Sequence, residues 1–318
     1  MNQSEMTAKI KQGDGFIAAL DQSGGSTPKA LAGYGIGEGA WSNDEEMFGL
    51  IHQMRSRIIT APCFASGKVL GAILFERTMD GKVNGKPTPQ ALTDIGVVPF
   101  IKIDKGLEDE ENGVQMMKPI PGLDDLLSRA KSLGVFGTKE RSVVNSANAA
   151  GIAVLVAQQF QLAKQVLAHG LMPIVEPEVN IKSADRAESD DLLLSAILEE
   201  LDELPDGQQV MLKLSIPAEP GKFDPLVVHP KVLRVVALSG GFSREEACRE
   251  LAKNPGMIAS FSRALLSDLR AQQSDEEFNR TLGTAIDEIY QASTTKVPAS
   301  LSPSFPRKRE SSLFLWPL

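Results

Sequence analysis

A chain of 318 residues with 42% hydrophobic and 23% charged side chains has the composition of a soluble globular protein with a sizeable core. Its net charge of −8 offers no broad basic field to nucleic acid or to an anionic membrane, so an anionic ligand needs a local cluster of cations. No run approaches the ~18 apolar residues of a membrane-spanning helix. The polar start Met1-Asn2-Gln3-Ser4-Glu5 lacks the order of a secretory signal, and Cys63 and Cys248 lack CxxC spacing, as expected of free thiols in a reducing cytoplasm.

In chain order, residues 4–12 read as a short amphipathic helix stopped by Gly13-Asp14-Gly15. Residues 16–20 form a first strand ending in Asp21-Gln22-Ser23-Gly24-Gly25-Ser26. A strand running into such a loop exposes backbone N–H groups that suit a phosphate, although an ordinary turn is the commoner outcome for the loop alone. Gly33, Gly35, Gly37 and Gly39 do not fit a dinucleotide fingerprint, because no strand leads into them, and they read as a flexible loop. Ser42 with Glu45 gives a capping-box pattern for a helix over 43–58. A second strand covers 69–75, and residues 78–90, with Asp80-Gly81 and Asn84-Gly85, carry turn chemistry. The third strand, 97–106, becomes charged at its end. A helix near 122–132 precedes a fourth strand near 135–143 that carries Lys139 and Arg141.

A long apolar-faced helix over 146–169 is closed by Gly170 and leads to a fifth strand, 171–178, ending in Glu176-Pro177-Glu178. An acidic helix over 184–204 precedes the sixth strand, 210–217. The seventh, 232–238, runs into Ser239-Gly240-Gly241, and Ser243 with Glu246 opens a further helix. An eighth strand near 257–261 is followed by Arg263 and a helix. Ser274 with Glu277 opens the last helix, to about 292. Eight strands separated by helices predict one α/β domain, a (β/α)8 barrel over residues 1–293 with a short N-terminal helix. Beyond Ser293 the chain turns to Pro, Ser and basic residues, and 294–318 read as a mobile C-terminal tail. The alternative is that its apolar end, Leu-Phe-Leu-Trp-Pro-Leu, docks in a surface groove.

One residue breaks the pattern of the sixth strand. A strand in a parallel sheet is covered on both faces and reads as an apolar run, yet Lys213 stands in the middle of Val210-Met211-Leu212-Lys213-Leu214-Ser215. A free lysine titrates near ~10.4, so about one in 2,500 carries a lone pair at neutral pH. Desolvation disfavours the ammonium, and an amine held neutral near pH 7 is a nucleophile for a carbonyl. On this stretch alone, a lysine snorkelling from a strand end is the commoner outcome.

The other strand ends change that balance. In a barrel the reacting groups come from the carboxyl ends of several strands, and here those ends supply Asp21, Lys102, Lys139 with Arg141, Glu176 with Glu178, Lys213, Ser239 and Arg263. Residues two apart on a strand face the same way, so strands four, five and six offer cation, carboxylate and amine side by side. Lys139 would help lower the pKa of Lys213, and a neighbouring carboxylate could shuttle protons. Ser239-Gly240-Gly241 and Arg263 match the phosphate site that phosphosugar barrels build after strands seven and eight. Lys102 with Ser23 and Ser26 would hold a second phosphate, and two phosphates flanking an amine point to a sugar bisphosphate.

Taken together, AALDQSGGS, ILFERT, GKPTPQAL, IKIDKG with Lys102 and Lys105, GTKER, PIVEPE, VMLKLS, LSGG and FSRAL resemble class I fructose-bisphosphate aldolase of the shorter bacterial form, in order from about residue 14 to 265. The resemblance implies reversible cleavage of fructose 1,6-bisphosphate through a Schiff base on Lys213, with no cofactor and no metal, in glycolysis or gluconeogenesis in the cytoplasm. It implies that Glu176 is the general acid and base, that Asp21 polarises the C4 hydroxyl, that Lys139 stabilises the carbinolamine, and that Glu178 positions Lys139. Ser239, Gly240, Gly241 and Arg263 would hold the phosphate of the dihydroxyacetone half, Ser23, Ser26 and Lys102 the other, with Arg141 at the same mouth. The chain departs from the family at Gln22, where an acidic residue is usual, and in having no tyrosine after Tyr290.

Three other readings stay open at this point. A zinc-dependent aldolase needs several histidine ligands, and His52, His169 and His229 show no ligand spacing. A different Schiff-base aldolase would keep Lys213 but need a single phosphate site. A phosphosugar-binding barrel without catalysis would form no adduct on Lys213. Barrels side by side could make homodimers or homotetramers, and the sequence does not choose.

Overall fold

Alternation along eight short strands sets the architecture of the computed structural model, which describes residues 1–297. The strands are β1 Phe16–Leu20, β2 Val69–Leu74, β3 Val98–Lys102, β4 Gly137–Val144, β5 Met172–Val179, β6 Val210–Ser215, β7 Val232–Leu238 and β8 Ile258–Ala259. Each pairs in parallel with the next. The N–H of Ala19 donates to the carbonyl of Phe261 at 3.1 Å, just past β8, and brings the first and last strands together. The predicted barrel is therefore present, with helices on its outside and a short antiparallel strand, Val114–Gln115, added to the end of β4.

Successive side chains on a barrel strand point alternately to the interior and to the helix layer. Ile17 and Ala19 of β1, Phe100 of β3, Ile174 of β5 and Met211 of β6 belong to an interior cluster separate from the main core, and Met6 and Ile10 of helix Gln3–Gln12 pack on it. Phe100 meets Phe136 edge to face at 5.4 Å between centroids. Each large side chain buried this way contributes roughly 1.5–3 kcal/mol. The same period that makes this floor apolar makes the opposite end charged. Two residues on from Ala19, Phe100, Ile174 and Met211 stand Asp21, Lys102, Glu176 and Lys213.

Several local expectations shift. The helix expected to be capped by Ser42 is Asp44–Thr60, and its cap is Asn43, whose side-chain oxygen accepts from Glu46 N at 3.0 Å. Ser42 contributes its backbone N–H to Glu46 instead. The glycine-spaced stretch expected as a flexible loop holds the end of helix Thr27–Gly33 and a 3-10 turn, Glu38–Ala40. Within 78–90 only the centre is a turn: Asn84 and Gly85, at φ +49° and +79°, join a two-residue hairpin between helices Glu76–Asp80 and Thr88–Asp94. The last helix runs on to Thr294. Beyond it, Lys296 Nζ donates to the carbonyls of Leu251, Met257 and Ala292, and Val297 N donates to Ala252 O. The ordered body thus extends past 293, and the rest of the expected tail lies outside the described residues.

Candidate active site

Lys213 is almost wholly buried in β6, with its Nζ 3.0 Å from Glu176 Oε1. The other oxygen of Glu176 lies 2.9 Å from Lys139 Nζ, which is 2.8 Å from Asp21 Oδ2 and 3.7 Å from Asp104 Oδ2. Asp104 Oδ1 in turn pairs with Lys102 at 2.9 Å. Strand register sets this order, because Lys102 lies opposite Lys139, and Arg141 opposite Glu176. The result is a run of alternating charges across β1, β3, β4, β5 and β6.

Burial by itself would neutralise these groups, and their partners prevent it. For Asp21, burial pushes the carboxyl up, but Lys139, then Lys213 and Lys102, hold it well below the usual carboxylate range. For Lys139, burial pushes the ammonium down, and Asp21, Glu176 and Asp104 together keep it well above the ordinary lysine value. Asp21 is thus a fixed acceptor and Lys139 a fixed cation. Glu140, on the other face of β4, makes no ion pair among the described residues. Burial holds its carboxyl well above the ordinary range, Thr138 Oγ1 donates to Oε2 at 3.1 Å, and Oε1 has no partner.

A cavity of about 770 Å³ opens above these groups, within the range that holds a phosphosugar. Every site residue expected from the sequence lines it except Gly241, which stands beside the guanidinium of Arg263; a Cβ there would lie 3.6 Å from Nη2. Gly240 and Gly241 have φ of +57° and +113°, a backbone that L side chains avoid, and a Cβ on Gly240 would lie 2.7 Å from Ile181 Cγ2. On β3, Lys102 Nζ donates to Ser23 Oγ at 3.0 Å. Ser26 is engaged within its own loop, accepting from Ser23 N and donating to Ser23 O. In a ring of eight strands β3 and β7 are four apart, so Lys102 and Ser239 stand on opposite sides of the barrel mouth.

One expected contact is different. Glu178 pairs with Arg141 Nε, not with Lys139, whose carboxylate partners are Asp21, Glu176 and Asp104. Glu178 therefore orients Arg141. The sequence reading also missed Asp104, although its place between Lys102 and Lys105 in IKIDKG was a signal. It missed Arg55, which is fully buried on the apolar face of Asp44–Thr60 among Ile51, Met54 and Ile58. The three histidines have local partners away from this cavity: His52 with Lys82 O, His169 with Asp124, and His229 with Lys231 N.

The family model for fructose-bisphosphate aldolase class-I matches residues 3–212 and stops one residue short of Lys213. Lys213, Ser239 and Arg263 therefore lie outside the matched segment. Among solved structures, the fructose-bisphosphate aldolase of Plasmodium falciparum, determined with TRAP and a small-molecule inhibitor, superposes with a TM-score of 0.75. The two are 22% identical over 93% of this chain and 96% of that one, a likeness that carries the fold. Matched over well more than half its length, the chain belongs to the class I fructose-bisphosphate aldolases, lyases that work through a lysine Schiff base.

Proposed function

We propose that Lys213 is the Schiff-base lysine of this aldolase and that Glu176 moves the protons of the reaction. The observation that carries this reading is the position of Glu176, with one oxygen 3.0 Å from Lys213 and the other 2.9 Å from Lys139. Glu176 takes a proton from the Lys213 ammonium, and the freed amine adds to the C2 carbonyl of fructose 1,6-bisphosphate. The carbinolamine oxygen develops beside Lys139, whose permanent charge stabilises it. Glu176 returns its proton to that oxygen, then carries a second proton from the nitrogen to the resulting hydroxyl, so that water leaves and an iminium remains on Lys213.

The iminium is the electron sink for cleavage, so this route calls for no cofactor. Asp21 accepts a hydrogen bond from the C4 hydroxyl; held so strongly ionised, it is a better anchor than base. Glu176 takes the hydroxyl proton as the C3–C4 bond breaks. Its electron pair passes to the iminium, giving an enamine, and glyceraldehyde 3-phosphate departs. Protonation at C3 and hydrolysis release dihydroxyacetone phosphate and restore Lys213. Ser239, Gly240, Gly241 and Arg263 hold the dihydroxyacetone phosphate end, and Lys102 with Ser23 holds the other; Ser26 shapes that loop. A cytoplasmic place in glycolysis or gluconeogenesis accords with this chemistry. Among the described residues no helix is long and apolar enough to cross a membrane.

Borohydride reduction in the presence of dihydroxyacetone phosphate tests the assignment. A stable adduct is expected on the peptide containing Lys213, and an adduct on another lysine, or none, overturns it. Turnover of fructose 1,6-bisphosphate well above that of fructose 1-phosphate is expected if Lys102 with Ser23 holds one phosphate and Arg263 with Ser239 the other. Equal turnover of the two would mean that the Lys102 cluster holds no phosphate.

A further inference from the structure

Arg55 stands behind the loop that carries Asp21, on the buried face of helix Asp44–Thr60. Its guanidinium forks in two directions. Nη1 donates to Thr78 Oγ1 at 2.7 Å, on the short helix Glu76–Asp80. Nη2 donates to the carbonyl of Gln22 and, at 3.3 Å, to Gln22 Oε1. The remaining nitrogen, Nε, has no partner. A fully buried cation is thus met only by neutral acceptors, an arrangement that lowers stability and that an apolar residue at this place would avoid. Burial pushes the guanidinium from 12.5 down to about 10, so it stays charged at neutral pH, and the charge that opposes this fall is Asp21.

The loop has few other holds. Its turn bonds between main-chain groups begin at Ser23, whose carbonyl accepts from Ser26 N at 2.9 Å, and among the described residues none reaches Asp21 or Gln22. The carbonyl one residue past Asp21 is therefore fixed by Arg55. Fixing it sets the direction in which the chain leaves β1, and with it the carboxylate that stands 2.8 Å from Lys139. A lysine at position 55 would keep the charge but lacks the rigid fork that holds Thr78 and Gln22 at once.

We propose that Arg55 is a positioning residue for the cleavage step: by clamping the Gln22 carbonyl against Thr78, it holds the Asp21 carboxylate where the C4 hydroxyl of the bisphosphate meets it. This rests on the reading of Asp21 as the anchor of that hydroxyl. Arg55 touches no reacting atom and acts through Asp21. A displacement of about 1 Å in such a group costs on the order of 10²-fold in rate. Dihydroxyacetone phosphate lacks the C4 hydroxyl, so its adduct on Lys213 does not call on this anchor.

The test is a cycle of Arg55→Lys, Asp21→Asn and the double variant. It measures kcat and KM for fructose 1,6-bisphosphate and the yield of borohydride adduct at saturating dihydroxyacetone phosphate. Arg55→Lys is expected to lower kcat by about 10–100-fold, with KM within about threefold and adduct yield within about twofold. In the Asp21→Asn background the same change is expected to lower kcat by less than about twofold more, since the group it positions is already lost. An unchanged kcat in Arg55→Lys overturns the proposal. So do multiplicative effects in the double variant, and so does an adduct yield that falls in step with kcat, which would mark general damage to the site. A rise in KM at constant kcat would assign Arg55 to the phosphate held by Ser23 and overturn the positioning of Asp21. If Arg55→Lys gives no cooperative melt, Thr78→Val, which frees the other end of the clamp, is expected to lower kcat at least about threefold at the same KM. An unchanged kcat there overturns the proposal as well. Full cleavage by Asp21→Asn alone would instead overturn the reading of Asp21 on which the proposal stands.

Discussion

Glu176 Oε1 lies 3.0 Å from Lys213 Nζ, and both side chains are at most 5% exposed. Glu176 is not stranded if Lys213 is removed, because it keeps Lys139 at 2.9 Å. Removing one partner of an isolated buried pair costs about 3–5 kcal/mol, and here the second cation limits that loss. Lys213→Ala is therefore expected to fold, to bind the bisphosphate, and to show neither turnover nor a borohydride adduct. Glu176→Gln should keep the shape while losing the proton shuttle, with kcat falling by about 10²–10⁴-fold. Steady-state kinetics with a thermal melt checks both, and retained cleavage in either variant would refute the assigned role.

Glu178 holds Arg141 rather than Lys139. Its removal should act on binding at the barrel mouth and spare the reacting bond. Glu178→Gln is expected to raise KM by about tenfold, the scale of one charge-assisted bond, with kcat within about threefold. A loss of kcat by hundreds at constant KM would show that it acts on Lys139 after all.

Asp190 gives a pH dependence of stability whose sign follows from its surroundings. It is buried, accepts from Ala218 N at 2.8 Å, and leaves Oδ1 without a partner. Burial raises its carboxyl from 3.8 to about 6. The fold prefers the protonated form, so its contribution is complete below pH 3.8 and is lost as pH rises through about 6. The full difference is on the order of 3 kcal/mol. Asp190→Asn, which keeps an acceptor and cannot ionise, should stabilise the protein more at pH 8 than at pH 5, by roughly 1 kcal/mol. Chemical denaturation at the two pH values measures this, and an equal effect at both would refute it.

Lys296 and Val297 tie the end of the described chain to the carbonyls of Leu251, Ala252, Met257 and Ala292. A protein ending at 293 should therefore melt several degrees below one ending at 297, on a scale of about 2–4 °C per kcal/mol. Identical melting temperatures would show that these bonds add nothing to stability.

Much of this enzyme is written along single strands. The repeat that places Ile17 and Ala19 inside the barrel puts Asp21 above them, and the same holds for Met211 and Lys213. Apolar runs that end in charge therefore indicated both the barrel and most of the charged residues that line its cavity. What the chain could not show locally is which charges meet. Whether Glu178 faces Lys139 or Arg141 depends on the register of β4 against β5 and on competing carboxylates from β1 and the loop after β3. Asp104 gains its place because Lys139 reaches it from a neighbouring strand, and Arg55 because its helix packs under the loop after β1. Alternation is a property of one strand and can be read from neighbours in sequence. Charge pairing is a property of several strands at once, and the closed barrel decided it.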